Sequence, residues 1–216
     1  MKIPQKADIQ AFIDRWAASG AAERANHQLF IAELCDILDV EHPHPTSENP
    51  HENAYVFEKS IPSAHGTTNF IDLYKRSSFV LEAKQGSRKE EKGQPVFSEA
   101  ALERKKQRKT GTAVRGTKGW DTAMEKAHKQ AQRYVRSLPS EEIIDGRPPF
   151  ILVVDVGNTI AMYSEFSRTG GNYIPFPDPS SYRLTLDDLN DPNVRQLLRQ
   201  IWEEPMSLDP ARRSAK

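Results

Sequence analysis

Three charged residues stand where a strand pattern calls for apolar ones. Asp72 lies in Asn69-Phe70-Ile71-Asp72-Leu73-Tyr74-Lys75, and Glu82 and Lys84 lie in Phe79-Val80-Leu81-Glu82-Ala83-Lys84. Both runs are rich in β-branched and aromatic residues, and the polar Arg76-Ser77-Ser78 between them reads as the turn of a hairpin. With that turn Lys75 pairs with Phe79, and counting inward sets Asp72 opposite Glu82 on one face, with Lys84 on the same face. Two carboxylates whose Cβ atoms sit about 5 Å apart repel each other, and charge among apolar neighbours is costly. A divalent cation resolves both problems. A few hard oxygen donors leave coordination positions for water and a phosphate oxygen, which suits Mg²⁺ with Mn²⁺ as a substitute. A lysine beside the ion can orient or deprotonate a water for attack on phosphorus. Asp72 and Glu82 are thus the expected metal ligands and Lys84 the expected catalytic base or water-orienting group. The competing structural reading is a cross-strand ion pair, Asp72 with Lys84 or Glu82 with Lys75.

The surrounding elements must position this hairpin. Ile9, Phe12, Ile13 and Trp16 recur at helical spacing from Asp8 to Ala18, and Phe30, Leu34, Cys35, Ile37 and Leu38 form the stripe of a second helix from about Ala21 to Asp39. Glu23 falls four residues before His27 and seven before Phe30, at the N-terminal end of that stripe. It is either an acid favoured by the helix dipole or an accessory ligand. Tyr55–Ile61 predicts a first strand, on which the face of Glu58 is ambiguous. Glu41–Asn53 predicts a loop whose His42, His44 and His51 are loop residues rather than a metal site. A helix beginning at Trp120-Asp121 carries Met124, Ala127, Ala131, Tyr134 and Val135 on one face, with Gln130 and Tyr134 one turn apart. Phe150–Val156 is a strand covered on both faces, Thr159–Phe166 a further edge strand, and Asp191-Pro192 opens a last capped helix.

With 216 residues the chain accommodates one domain with a proper core. Its 30 basic and 30 acidic residues cancel, so any affinity for nucleic acid must be local. The local concentration is Gly86–Gly119, where Arg104, Lys105 and Lys106 open a cationic run that is either a solvated face or a lid over the site. The single cysteine excludes a disulfide framework and a cysteine-rich zinc site. No signal segment and no membrane span is present, and the expected location is the cytoplasm.

Asp72 followed by Glu82-Ala83-Lys84 on a hairpin after an N-terminal helix resembles the PD-(D/E)xK nuclease superfamily, with Ile71 where that motif often has proline. Gln130-Ala131-Gln132-Arg133-Tyr134 is similar to the QxxxY motif of its RecB-like subgroup. Longer phrases, Glu23–Phe30, Tyr55–Lys59, Ile71–Arg76, Phe79–Gly86 and Leu208–Arg212, resemble the N-terminal region of single-chain Type IIL (Type IIG-like) restriction-modification enzymes. The resemblance implies an α/β restriction-endonuclease-like fold with a central mixed β-sheet flanked by helices. It implies a nuclease domain over residues 1–180, with 86–119 a basic insertion, and the start of a helical connector over 181–216. It also implies Gln130 and Tyr134 as residues that position the phosphate or Lys84, and Glu23 or, ranked after it, Glu58 as completing the outer shell. The implied substrate is double-stranded DNA, with Arg104, Lys105, Lys106, Lys126, Lys129 and Arg133 as the expected phosphate contacts and with transient dimerisation on it. The implied downstream partners are an adenine-N6 methyltransferase domain using S-adenosylmethionine and a target-recognition domain. No Asn-Pro-Pro-Tyr tetrapeptide or glycine-rich cofactor loop occurs in this chain, so S-adenosylmethionine belongs to that absent downstream domain. The alternative is a nuclease fold without cleavage, acting as a DNA clamp or interaction module of a phage-defence methyltransferase.

Overall fold

The computed structural model describes the backbone of residues 6–19, 23–62, 68–87 and 113–213, and the side chains of these except 23–25, 50 and 213. Two helices come first, α1 (Lys6–Ala18) and α2 (Glu23–Leu38). Three strands follow, β1 (Tyr55–Pro62), β2 (Thr68–Lys75) and β3 (Phe79–Lys84). Helix α3 (Lys118–Arg136) crosses to β4 (Phe150–Asp155) and β5 (Thr159–Ser164). The short strands β6 (Ile174–Pro175) and β7 (Arg183–Thr185) precede α4 (Pro192–Glu203).

Among the described residues these make one seven-stranded mixed sheet in the order β1-β2-β3-β4-β5-β6, with β7 also on β5. The β1-β2-β3 meander is antiparallel, β3 and β4 are parallel with Lys84 beside Asp155, and β5 returns antiparallel. The parallel step is possible because α3 supplies the crossover. Helices cover both faces, as a continuous apolar strand such as β4 requires. On one face α1, α2 and α4 bury Phe12, Trp16, Phe30, Leu34, Leu198 and Trp202 against Leu73, Phe79, Leu81, Ala83, Leu152 and Val154. On the other, Trp120, Met124, Ala127, Ala131 and Val135 of α3 pack on Ile71, Tyr74, Val80, Ile151 and Val153.

β5 corrects one expectation. It is an interior strand, fully buried, because β6 and β7 pair along its outer edge. Those strands come from residues further along the chain, which a local period cannot reveal. The last helix starts as expected, with Asp191 accepting a hydrogen bond from Asn193 N at 2.8 Å. Leu184, Leu186, Leu189, Leu198, Ile201 and Trp202, all from the stretch expected to begin a connector, pack into the same core as α1 and α2. No helix among the described residues is long and apolar enough to cross a membrane.

Candidate metal centre

The β2–β3 register is the expected one: Lys75 faces Phe79, Tyr74 faces Val80 and Leu73 faces Leu81. Ser77 closes the turn with φ +60°. Pairing stops there, one step short of Asp72 and Glu82. Instead of continuing the ladder, Asp72 reaches sideways and its Oδ2 accepts a hydrogen bond from Ala83 N at 2.7 Å. The two acids are therefore neighbours at the mouth of a fork between strands rather than a flush cross-strand pair.

β1 contributes to the same opening. Glu58 has φ +50°, a left-handed conformation rare for a residue with a side chain. It lies between the pairs Phe57–Leu73 and Lys59–Ile71, so it faces Asp72. Both strands change faces at this point. Phe57 and Leu73 belong to the α1–α2 side of the core, whereas Ile71 and Ile61 belong to the α3 side. Lys59 also turns that way, with Nζ 2.6 Å from Glu142 Oε1 and over the ring of Tyr74. Residues two apart on a regular strand share a face, so the acids sit where that regularity breaks.

Glu82 points towards α3 and is 1% exposed. Its Oε2 accepts from Gln130 Nε2 at 3.0 Å and lies 3.7 Å from Lys84 Nζ. Gln130 also donates to the Tyr134 hydroxyl at 2.9 Å. Glu82 Oε1 is buried with no hydrogen-bond partner among the described residues. Burial, and after it the charge of Asp72, push the Glu82 carboxyl up to about 8, with Lys84 pulling the other way. Burial similarly raises Tyr134, with the Glu82 charge adding to it.

The structure thus brings together Asp72, Glu82, Lys84, Gln130 and Tyr134. The backbone of Glu23 opens α2, and its side chain lies outside the described residues. Lys126, Lys129 and Arg133 are exposed on α3; Lys129 also pairs with Glu125 at 2.6 Å. Arg104, Lys105 and Lys106 fall outside the described residues. The ends of their segment are anchored beside the site. Ser87 bridges to Val114, and the fully buried Asp155 accepts from Gly86 N at 2.8 Å, Arg115 Nε at 2.8 Å and Trp120 Nε1 at 2.8 Å.

His27 escaped the sequence reading, which ranks Glu58 below Glu23 for the outer shell. His27, 5% exposed on α2, places Nε2 3.5 Å from Glu58 Oε1. One ligand atom from each of His27, Glu58 and Asp72 lies within 4.8 Å of the others. His27 stands three residues before Phe30 on the buried stripe, and that polar interruption was the available signal. The surface histidines do read as loop residues, His42 on Asp36 and His44 on Glu41, each at 2.8 Å.

This donor set fits a hard divalent cation. Carboxylates converge at a fork in the sheet, one buried oxygen is bare, and burial, then the charge of Asp72, raises the proton affinity of Glu82 where a cation would relieve it. No curated protein and no solved structure matches the chain. A family model described as "MmeI, N-terminal domain" matches residues 4–215. The chain belongs to that family, the N-terminal domain of the Type IIL restriction enzyme MmeI.

Proposed function

We propose that this domain cuts double-stranded DNA by metal-dependent hydrolysis of phosphodiester bonds. The observation that carries the reading is Glu82, a carboxylate 1% exposed with one bare oxygen, set beside Asp72, Lys84 and Gln130. Asp72 and Glu82 would hold Mg²⁺, with Mn²⁺ as a substitute; when bound, the ion supplies Lewis-acid polarisation of the phosphate and of water. Gln130 donates to Glu82 and is tied to Tyr134, which fixes the direction of the Glu82 oxygens. Lys84, partly exposed, orients the attacking water and balances negative charge growing on the phosphoryl oxygens. Water oxygen bonds to phosphorus as the bond to the departing strand oxygen breaks, and the protons of that water end on the two products. Exposed Lys126, Lys129 and Arg133 lie along the same helix as Gln130 and Tyr134 and meet the DNA backbone, with Arg104, Lys105 and Lys106 adding to them.

Residues 1–180 carry the chemistry. The stretch from 181 packs on the core and leads into the connector of a parent chain bearing the adenine-N6 methyltransferase and target-recognition domains, where S-adenosylmethionine acts. Cutting both strands brings two such domains together transiently on DNA, in the cytoplasm. The test is Lys84→Ala in the full-length enzyme. Divalent-dependent cleavage should fall by roughly 10²–10⁴-fold, the range for a lost proton-transfer group, with the melting temperature unchanged. Unchanged cleavage would remove the mechanism.

A further inference from the structure

We propose that Gln85 is a further substrate-contacting residue of this centre, its carboxamide kept for a phosphodiester group of the DNA strand being cut; this rests on the nuclease reading above. Gln85 is 6% exposed, and both its Nε2 and its Oε1 are buried without a hydrogen-bond partner among the described residues. Buried side-chain amides are nearly always bonded, so an orphan at both ends calls for an explanation. The backbone on both sides of Gln85 is held in place. On one side Lys84 O accepts from Val156 N at 2.8 Å, and on the other Gly86 N donates to Asp155 at 2.8 Å.

The direction of the side chain follows from its neighbours. A Cβ on Gly86 would meet Arg115 at 2.9 Å and Asp155 and Trp120 at 3.0 Å, so position 86 faces α3. Position 85 faces the other way, as Leu81 and Ala83 do. Ala83 is the residue whose N–H is held by Asp72. Helix α2 covers this face, with His27 beside Glu58 and Cys35, two turns on, 3.6 Å from the Tyr55 hydroxyl. The N-terminal end of α2 is therefore the end directed at the acids. Gln85 lies on the face that α2 covers, one residue after Lys84. Glu82 and Lys84 approach from the α3 side, Gln85 from the α2 side.

The amide offers two N–H donors and one acceptor. Phosphate oxygens take the donors, and a water hydrating the phosphodiester donates to Oε1. A base edge presents a similar donor–acceptor pair, but the position adjoining Lys84 places the amide with the strand backbone.

The experiment uses the full-length enzyme with Gln85→Leu and Gln85→Met. Melting is followed without DNA, and affinity for a fluorescent synthetic duplex is measured by anisotropy in Ca²⁺. The same duplex is then used with single methylphosphonates around the cut position. Both variants should melt no lower than wild type, bind the duplex at least about fivefold more weakly and cut it more slowly. One methylphosphonate should weaken wild type and leave Gln85→Leu unaffected. Wild-type affinity and rate in both variants overturns the proposal. So does a lower melting temperature with wild-type sensitivity to every methylphosphonate, since the amide is then structural. Loss traced to a base change instead of a phosphate overturns it as well. Lys84→Ala run alongside separates the two readings: if it cuts normally the nuclease reading fails, and if it is dead while Gln85→Leu is normal only this proposal fails.

Discussion

A buried donor or acceptor left unbonded costs about 1–3 kcal/mol, and Glu82 Oε1 and both ends of Gln85 carry that cost within four residues of each other. Two buried carboxylates away from that point are each held by several donors. Glu142 takes Lys59, Tyr74 and Arg76, and Asp155 takes Gly86, Arg115, Trp120 and Asn158. Three of the buried atoms without a hydrogen-bond partner among the described residues thus cluster at the end of β3, beside the acids. Cys35 illustrates the opposite case. Its thiol is buried and pushed up to about 11 by that burial, so it is an inert core group. His128 yields a prediction about acid stability. Its ring stacks on Tyr163 at 3.7 Å, Gln132 contacts its Nε2, and burial lowers it to about 4 against the raising charge of Glu125. The unfolded chain protonates this imidazole near pH 6.5, so between pH 6.5 and 4 it holds the extra proton and stability falls as the pH falls. After discounting for partial exposure the loss should be about 1–2 kcal/mol. Urea denaturation across that window should show the slope in wild type and a shallower one in His128→Phe; equal slopes would reject the assignment.

At the scale of elements, the fork between β2 and β3 and the face change in β1 and β2 create the site. The hairpin register was legible because a three-residue turn and a period of two leave little freedom. Gln130 and Tyr134 were legible for a similar reason, since residues four apart on a helix must share a face. Glu58 was not. A left-handed non-glycine residue has no sequence signature, and a strand that changes faces at that residue defeats counting by twos. The β4–β5 turn offers a test of packing between elements. Gly157 has φ +77°, and a Cβ there would lie 2.3 Å from the carbonyl oxygen of Trp16 at the end of α1. Gly157→Ala should destabilise the domain by roughly 2–4 kcal/mol, from left-handed strain plus overpacking. A shift below that range in urea midpoint would mean that α1 yields easily.

For the whole molecule, the two faces of the sheet have separate duties. The α1, α2 and α4 side holds the larger core, while α3 brings Gln130 and Tyr134 to Glu82 and exposes Lys126, Lys129 and Arg133 beside them. A cation that binds only the folded state stabilises it by mass action, by about 2.7 kcal/mol at a hundredfold excess over Kd. For a chain of this size that is a rise of about 5–11 °C in melting temperature. Adding Mg²⁺ or Ca²⁺ should raise the melting temperature accordingly, chelation should reverse it, and Asp72→Asn should abolish it. An equal rise in Asp72→Asn would place the ion elsewhere.

By itself the sequence determined the strand and helix order through Val156, the hairpin register and the candidate chemistry of Asp72, Glu82 and Lys84, because each depends on local periodicity and residue type. Only the tertiary structure decided that β5 is interior, that the last helix closes the first core and that His27 and Glu58 stand beside Asp72. Those outcomes join residues far apart in the chain, and what joins them is the shared need to bury apolar faces, which no single stretch expresses.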